Sequence, residues 1–147
     1  MYAVPHRIET ARLVLRRYAR PDAEQLVTAV GRNVDHLRQY MEWIRLEPLS
    51  VDARRAWIAD VGAKADAGED FALGVFLRSG ELVGGCGFHV RHEPARLAVG
   101  YWIDRDHQGR GLATEAAAAL DGHLCRCGAH DRILKAVVRA GRMAVTP

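Results

Sequence analysis

A glycine-containing segment in the second half of the chain has the residue types of a phosphate-binding turn. Residues 100–103 favour a strand, a helix is expected from Leu112, and Gly109 and Gly111 lie between them. A helix begins with about four N–H groups that lack partners and carry partial positive charge. Glycine lets phosphate oxygens approach these donors without meeting a Cβ atom. The spacing therefore predicts that residues 109–114 bind a phosphate or pyrophosphate group.

Other interpretations of this turn fit less well. A Walker A loop requires Gly-x-x-x-x-Gly-Lys-Ser/Thr, and the segment contains no lysine. The dinucleotide fingerprint Gly-x-Gly-x-x-Gly is half matched by Gly109, Gly111 and Thr114, and Asp131 lies near the distance expected of the ribose-binding acid. That fingerprint belongs to the first of several βαβ units, whereas only one short unit is visible here. A turn that merely connects a strand to a helix stays open.

A second group of residues has a spacing that suggests a metal site at first: His123, Cys125, Cys127 and His130. Structural zinc sites usually place two to four residues between paired cysteines, and here there is one. We therefore expect no metal, and reduced thiols near a helix end instead. Three cysteines and the lack of an apolar secretory signal also make a disulfide framework unexpected.

The phosphate-binding segment resembles a signature of the GNAT acyltransferases, the acetyl-CoA-dependent N-acetyltransferase superfamily. Residues 108–113, Q-x-x-G-x-A, are similar to its Q/R-x-x-G-x-G/A motif, and the flanking residues resemble the RimJ/RimL branch. T-x-R-L-x-L-R at 10–16 is similar to that branch's opening strand, L-x-x-Y-M-x-W at 37–43 to its second helix, and L-V-G at 82–84 to its central hairpin. The resemblance covers about residues 8–138 in the right order.

The resemblance implies a set of residues that bind acetyl-CoA. The backbone of β-strand residues 101–103 would accompany the pantetheine arm, and a backbone N–H near the first of them would stabilise the oxyanion. The amides of 109–114 would hold the pyrophosphate, whereas Glu115 is a favourable charge in the first turn of the helix. The implied coenzyme-binding residues are Tyr101, Trp102, Ile103, Gln108, Gly109, Arg110, Gly111, Leu112, Ala113 and Thr114.

The implied reaction is direct attack of a primary amine on the acetyl thioester. The amine must be neutral, which an α-amino group with a pKa near ~8 achieves more readily than a lysine near ~10.4. The candidate bases lie near the end of the central strand: His89, His92 and Glu93. The structural alternatives are a hydrogen-bonded rim histidine for His89 and a solvated surface carboxylate for Glu93.

The acceptor side of the site is expected on the second predicted helix. Its candidate residues are His36, Glu42 and Trp43, and the tryptophan fits a plain core position equally well. The acceptor itself is expected to be a protein N-terminus or a small amine.

Hydrophobic periodicity predicts the elements that position these residues. Helices are expected from Pro21, over Val34–Leu46, after the capping residue Ser50 and over Leu112–Cys127. Strands are expected at 12–18, 71–77, 82–88, 97–103 and 133–138, with a Ser79-Gly80 hairpin turn. Glycines at 84, 85 and 87 indicate a bulge or a close backbone approach.

The order of these elements predicts one α/β (α+β) domain over residues 1–147, with a mixed, mostly antiparallel sheet flanked by helices. Family members continue past strand 133–138 into a helix and a strand pair, and they carry an Asn and a Ser that 137–147 lack. We therefore expect a C-terminally incomplete domain with an apolar edge that favours a homodimer. A truncated gene product, completion by a partner subunit and a divergent short form stay open. So does a non-catalytic remnant that binds CoA weakly or not at all.

Composition narrows the class of protein. The 147 residues are 49% hydrophobic and 27% charged, enough for the core of one domain. No stretch approaches the ~18 apolar residues of a membrane span. The net charge is +3 and the arginines are scattered, so neither nucleic acid nor membrane is expected as a partner. A cytoplasmic enzyme is expected.

Overall fold

The computed structural model describes residues 4–39, 41–91 and 96–120, and at its centre is a five-stranded sheet. The strands lie in chain order and each pairs antiparallel with the next. They are β1 (Arg7–Glu9), β2 (Leu13–Arg17), β3 (Asp70–Leu77), β4 (Leu82–Arg91) and β5 (Arg96–Ile103). The predicted class, helices flanking a mostly antiparallel sheet, is confirmed for the described residues.

Three α-helices accompany the sheet, with short 3-10 helices between elements. Ser50 caps α2 as predicted, because its hydroxyl accepts a hydrogen bond of 3.1 Å from the Ala53 amide. The α-helices are α1 (Ala23–Leu37), α2 (Val51–Asp66) and α3 (Leu112–Leu120), and the 3-10 helices are Arg20–Asp22, Glu42–Leu46 and Arg105–His107.

The helix predicted for Val34–Leu46 is wrong. Val34 and Leu37 continue the apolar period that begins at Leu26, so they belong to α1, which runs without a break from Ala23. The chain is extended at Met41 and then forms only a 3-10 turn. β1 was not predicted, since three residues are too few to show alternation. The predicted helix beyond residue 120, the strand at 133–138 and the cysteine–histidine cluster lie outside the described residues.

The two faces of the sheet pack against different helices. On one face Leu15, Val75 and Phe88 lie in the same core as Leu112 and Leu120 of α3. The other face carries Val14, Phe76, Leu82 and Trp102 against an apolar stripe of α1 formed by Leu26, Val30 and Leu37. Each fully buried side chain of this size contributes about 1.5–3 kcal/mol. Because Ile103 and Leu112 lie in one core and Trp102 lies in the other, packing on both faces positions the end of β5 and the beginning of α3.

The glycines of β4 confirm the expectation of a bulge and of a close approach. Val75 pairs with Gly84 but Phe76 pairs with Leu82, so one extra residue bulges out of β4. A Cβ atom on Gly84 would lie 2.3 Å from the Trp102 carbonyl oxygen. At this position β5 leaves no room for a side chain.

Replacing Gly84 by Ala should destabilise the fold by about 1–3 kcal/mol, because backbone cannot move aside as cheaply as a side chain. Gly62→Ala in α2 is the matched control, since a Cβ there meets no described atom within 4 Å. It should stabilise the fold by about 0.5–1 kcal/mol through helix propensity. Urea unfolding of both variants measures the difference, and equal effects would contradict the packing argument.

Candidate active site

The turn between β5 and α3 has the features of an anion-binding site. Gly109 and Gly111 have φ angles of +74° and +76°, a conformation that L-residues rarely adopt. The amides of residues 111–114 donate to no acceptor within residues 4–39, 41–91 and 96–120. These are the unpaired donors that begin a helix, and the positive end of the helix dipole lies at the same place.

A buried polar cluster fixes the beginning of the turn. Asp104 directly follows β5 and is fully buried, with one carboxylate oxygen 2.5 Å from the Arg32 guanidinium. Its other oxygen accepts from the Asp106 amide at 3.3 Å and from the Asn33 side chain at 3.3 Å. Asn33, also fully buried, accepts from the Arg105 amide at 2.9 Å. Two residues of α1 therefore hold the turn, Asn33 from inside the core and Arg32 from the surface.

Gln108, the first residue of the signature, folds back over the turn. Its side-chain nitrogen donates to the Ile103 carbonyl oxygen at 3.2 Å and lies 2.8 Å from Nε2 of His36. His36 therefore contacts the turn between β5 and α3 from α1, and it does not belong to a separate second helix. The glutamine closes the turn on itself and joins it to α1.

A second set of hydrogen bonds fixes the end of the turn. Glu115 accepts from the Thr10 hydroxyl at 2.6 Å, from the Arg12 amide at 3.1 Å and from Arg12 Nε at 3.0 Å. Arg12 also donates to the Arg110 carbonyl oxygen at 2.9 Å. Partial burial raises the pKa of Glu115, but these hydrogen bonds outweigh it and the net pKa lies below the ordinary value of 4.5. Glu115 therefore anchors the end of this turn to the opening segment of the chain.

The remaining predicted coenzyme residues divide into exposed and buried groups. Gly109, Arg110 and Gly111 are exposed, Ala113 and Thr114 are partly buried, and Leu112 is buried in the core. The Arg110 guanidinium forms no ion pair with any described residue, so it is available to an anion.

The predicted pantetheine-binding residues lie at the end of β5. Within the described residues β5 pairs only with β4, so the peptide groups of its other edge have no strand partner there. Trp102 and Ile103 are buried on opposite faces of the sheet, whereas Tyr101 is partly buried on the α3 face. Burial raises the pKa of the Tyr101 phenol, which keeps it protonated.

Of the three predicted bases, only His89 lies within the described residues. His89 lies in β4, opposite Asp70 in β3 and Ala98 in β5. Glu93 and His92 lie outside the described residues. Glu42 and Trp43, expected on the acceptor side, lie in the 3-10 helix that follows α1.

Several residues around the turn were not predicted. Asn33, Arg32 and Asp104 come together only in the fold, and a buried aspartate after a strand has no distinctive sequence pattern. Thr10 and Arg12 were noted as part of the opening-strand motif. Nothing in the sequence indicated that they contact Glu115 in α3, which lies 105 residues after Thr10.

The geometry fits a coenzyme diphosphate. The space where Gly109 would carry a Cβ is open within 4 Å, and at Gly111 the nearest described atom is Nη2 of Arg12 at 3.6 Å. Phosphate oxygens can therefore approach the helix amides, with Arg110 beside them. Within the described residues no group of three His, Cys, Asp or Glu is placed to hold a metal ion.

Comparison with known proteins gives the family. Residues 12–139 match the family model described as an acetyltransferase (GNAT) domain. That range is most of the chain, and the chain belongs to this family. The RimJ/RimL-like resemblance is confirmed by the relatives below. No helix among the described residues is long and apolar enough to cross a membrane.

Two curated relatives are bacterial acetyltransferases by name. The chain is 28% identical over 118 residues to the ribosomal-protein-serine acetyltransferase of Escherichia coli (strain K12), covering 79% of this chain and 64% of that protein. It is 26% identical over 106 residues to "Probable N-acetyltransferase YjcK" of Bacillus subtilis (strain 168), covering 67% and 59%. The chain thus spans less than two thirds of the length of either relative.

Solved structures share the fold. RimL, a ribosomal L7/L12 alpha-N-protein acetyltransferase in complex with coenzyme A, has a TM-score of 0.75 at 22% identity, covering 92% of this chain and 82% of that one. An acetyl transferase from Salmonella typhimurium that modifies the N-terminal serine of L7/L12 has a TM-score of 0.70 at 21% identity, covering 94% and 82%. At these identities the likeness establishes the architecture.

Replacing Glu115 by Gln should lower stability at neutral pH by about 1–2 kcal/mol and flatten its dependence on acid. The carboxylate has a lowered pKa in the folded state, so its contribution is present above pH 4.5 and is lost as the pH falls through the lower folded value. Urea unfolding between about pH 3 and pH 7 measures this. Exposed Glu69→Gln is the control, and parallel profiles for both variants would contradict the anchor.

Proposed function

We propose that this chain transfers an acetyl group from acetyl-CoA to a primary amine, and that the amine is the α-amino group of a protein N-terminus. The observation that carries the proposal is the turn between β5 and α3. Its helix amides are unpaired among the described residues, two glycines with positive φ leave the approach open, and Arg110 stands beside it. This arrangement favours binding of a diphosphate, which acetyl-CoA carries.

The coenzyme supplies an acetyl thioester, and the chain's residues orient it. Residues 111–114 would hold the diphosphate through backbone amides, with the Arg110 side chain adding positive charge. The unpaired edge of β5 at 101–103 would hydrogen-bond the pantetheine arm as an extra strand. A backbone N–H of that edge, near Tyr101, would stabilise negative charge on the thioester oxygen.

The choice of a protein N-terminus rests on the relatives and on acid–base chemistry. The E. coli relative is named for acetylation of serine on ribosomal protein, and the Salmonella structure for the N-terminal serine of L7/L12. An α-amino group with a pKa near ~8 is partly neutral at physiological pH and needs little help from a base. His89 stays a candidate base for this step.

The alternative is a domain that keeps the fold but transfers no acetyl group. Incubation with acetyl-CoA and peptides that begin with serine separates the two, with acetylated peptide read by mass spectrometry. Transfer to the free peptide and none to the same peptide with a blocked N-terminus supports the proposal. Coenzyme binding without transfer to any peptide or small amine supports the alternative.

Replacing Gly111 by Gln should reduce acetyl-CoA affinity more than tenfold, because the side chain would enter the space that the diphosphate needs. Gly68→Gln is the matched control, since Gly68 ends α2 with φ of +74°, far from the turn in sequence. Both variants carry the same strain of about 1–2 kcal/mol. Calorimetry with acetyl-CoA compares them. Wild-type affinity in Gly111→Gln would reject the diphosphate site.

A further inference from the structure

Tyr18, which directly follows β2, lies over the middle of the sheet. Glycine makes room for it: a Cβ on Gly74 would lie 2.8 Å from the Tyr18 ring, and a Cβ on Gly85 would lie 2.8 Å from its hydroxyl oxygen. The Trp102 indole nitrogen lies 2.5 Å from that same point on Gly85. The phenol and the indole therefore approach each other above Gly85, and the Phe76 ring shares the space above Gly74 with Tyr18.

The surroundings of Tyr18 combine aromatic rings with the charged side chains of Arg54, Arg16 and Asp22. Its ring is 5.6 Å from that of Trp57 in α2, at 58°, and it packs on the core that contains Trp102. The hydroxyl forms no hydrogen bond with any residue within 4–39, 41–91 and 96–120, although the residue is partly exposed. A phenol in such a place normally has a partner. Because the residue is partly exposed, a molecule that binds over this face of the sheet can reach its hydroxyl.

Glycine positions continue along this face of the sheet from Gly85 towards the start of β5. Gly87 pairs with Gly100. This pair is two residues along each strand from the pair formed by Gly85 and Trp102, so both pairs lie on the same face of the sheet. A Cβ on Gly100 would meet no described atom within 4 Å. Gly100 directly precedes residues 101–103, where the pantetheine arm is proposed to bind.

We infer that Tyr18 contacts the acceptor, with its hydroxyl oxygen accepting a hydrogen bond from the attacking amine and its O–H donating to the carbonyl of the acceptor's first residue. The inference rests on the proposed function and deepens it. A hydroxyl can donate one bond and accept others at the same time. A peptide N-terminus offers both an N–H donor and a nearby carbonyl, whereas a simple polyamine offers donors alone.

Two further properties of the site agree with this role. Burial raises the pKa of the Tyr18 phenol, so it stays neutral and keeps the proton that it donates. The ring face of Tyr18 also favours the positive charge that develops on the amine nitrogen as it attacks, whereas the Trp57 ring already lies 5.2 Å from the Arg54 guanidinium. Tyr18 is thus a residue that distinguishes peptide acceptors from polyamines.

Replacing Tyr18 by Phe tests the inference, because the ring and its packing remain. The KM for a peptide with a free N-terminal serine should rise about five- to thirtyfold, the loss of two hydrogen bonds, while acetyl-CoA affinity and the thermal midpoint stay unchanged. The KM for a polyamine acceptor, where one is used, should change less. Thr28→Val is the control: it also deletes a hydroxyl, one that bonds only to the Glu24 carbonyl at 3.1 Å.

An unchanged peptide KM in Tyr18→Phe, or an equal loss of acetyl-CoA affinity, would overturn the inference. Failure of the proposed function looks different, because the wild-type chain would then acetylate no amine at all. Peptide binding measured by calorimetry in the presence of CoA gives a second readout that needs no turnover. Equal peptide affinity of wild type and Tyr18→Phe there would also overturn the inference.

Discussion

The unpaired amides at the start of α3 depend on hydrogen bonds made on either side of them. A turn with two glycines of positive φ is flexible in isolation, and its donors would point in many directions. Here the Asp104–Asn33 pair fixes its first residues and the Glu115–Arg12 pair fixes its last. Between these anchors the chain's own groups do not satisfy the amides of 111–114 within the described residues. The fold therefore fixes the positions of these N–H donors, although no described residue accepts a hydrogen bond from them.

Glycine has two distinct roles in this fold. In the turn between β5 and α3, glycine permits positive φ angles, as Gly109 and Gly111 show. In the sheet it supplies space, because Gly84 and Gly85 lie where Trp102 and Tyr18 approach. The first role shapes the proposed coenzyme site. The second lets Trp102 and Tyr18 pack directly against the backbone of β4.

Local patterns predicted the local structure, and long-range contacts were beyond them. Alternation located β3, β4 and β5, Ser50 was recognised as a cap, and the glycine turn before Leu112 was found by its residue types. The helix predicted for Val34–Leu46 failed because its first turns share their period with α1. The Asn33–Asp104 pair and the place of Tyr18 over Gly85 join distant segments, and periodicity carries no information about such pairs.

The bond between Thr10 and Glu115 spans 105 residues and has a consequence for how the molecule is assembled. During synthesis, the glycine turn leaves the ribosome long after the opening strand, so the bonds between them can form only once both segments have been made. A fragment from β5 to α3 would contain the whole signature. It would lack Thr10, Arg12 and Asn33, whose hydrogen bonds hold the turn in its conformation. The anchored conformation of this turn is therefore a property of the assembled domain.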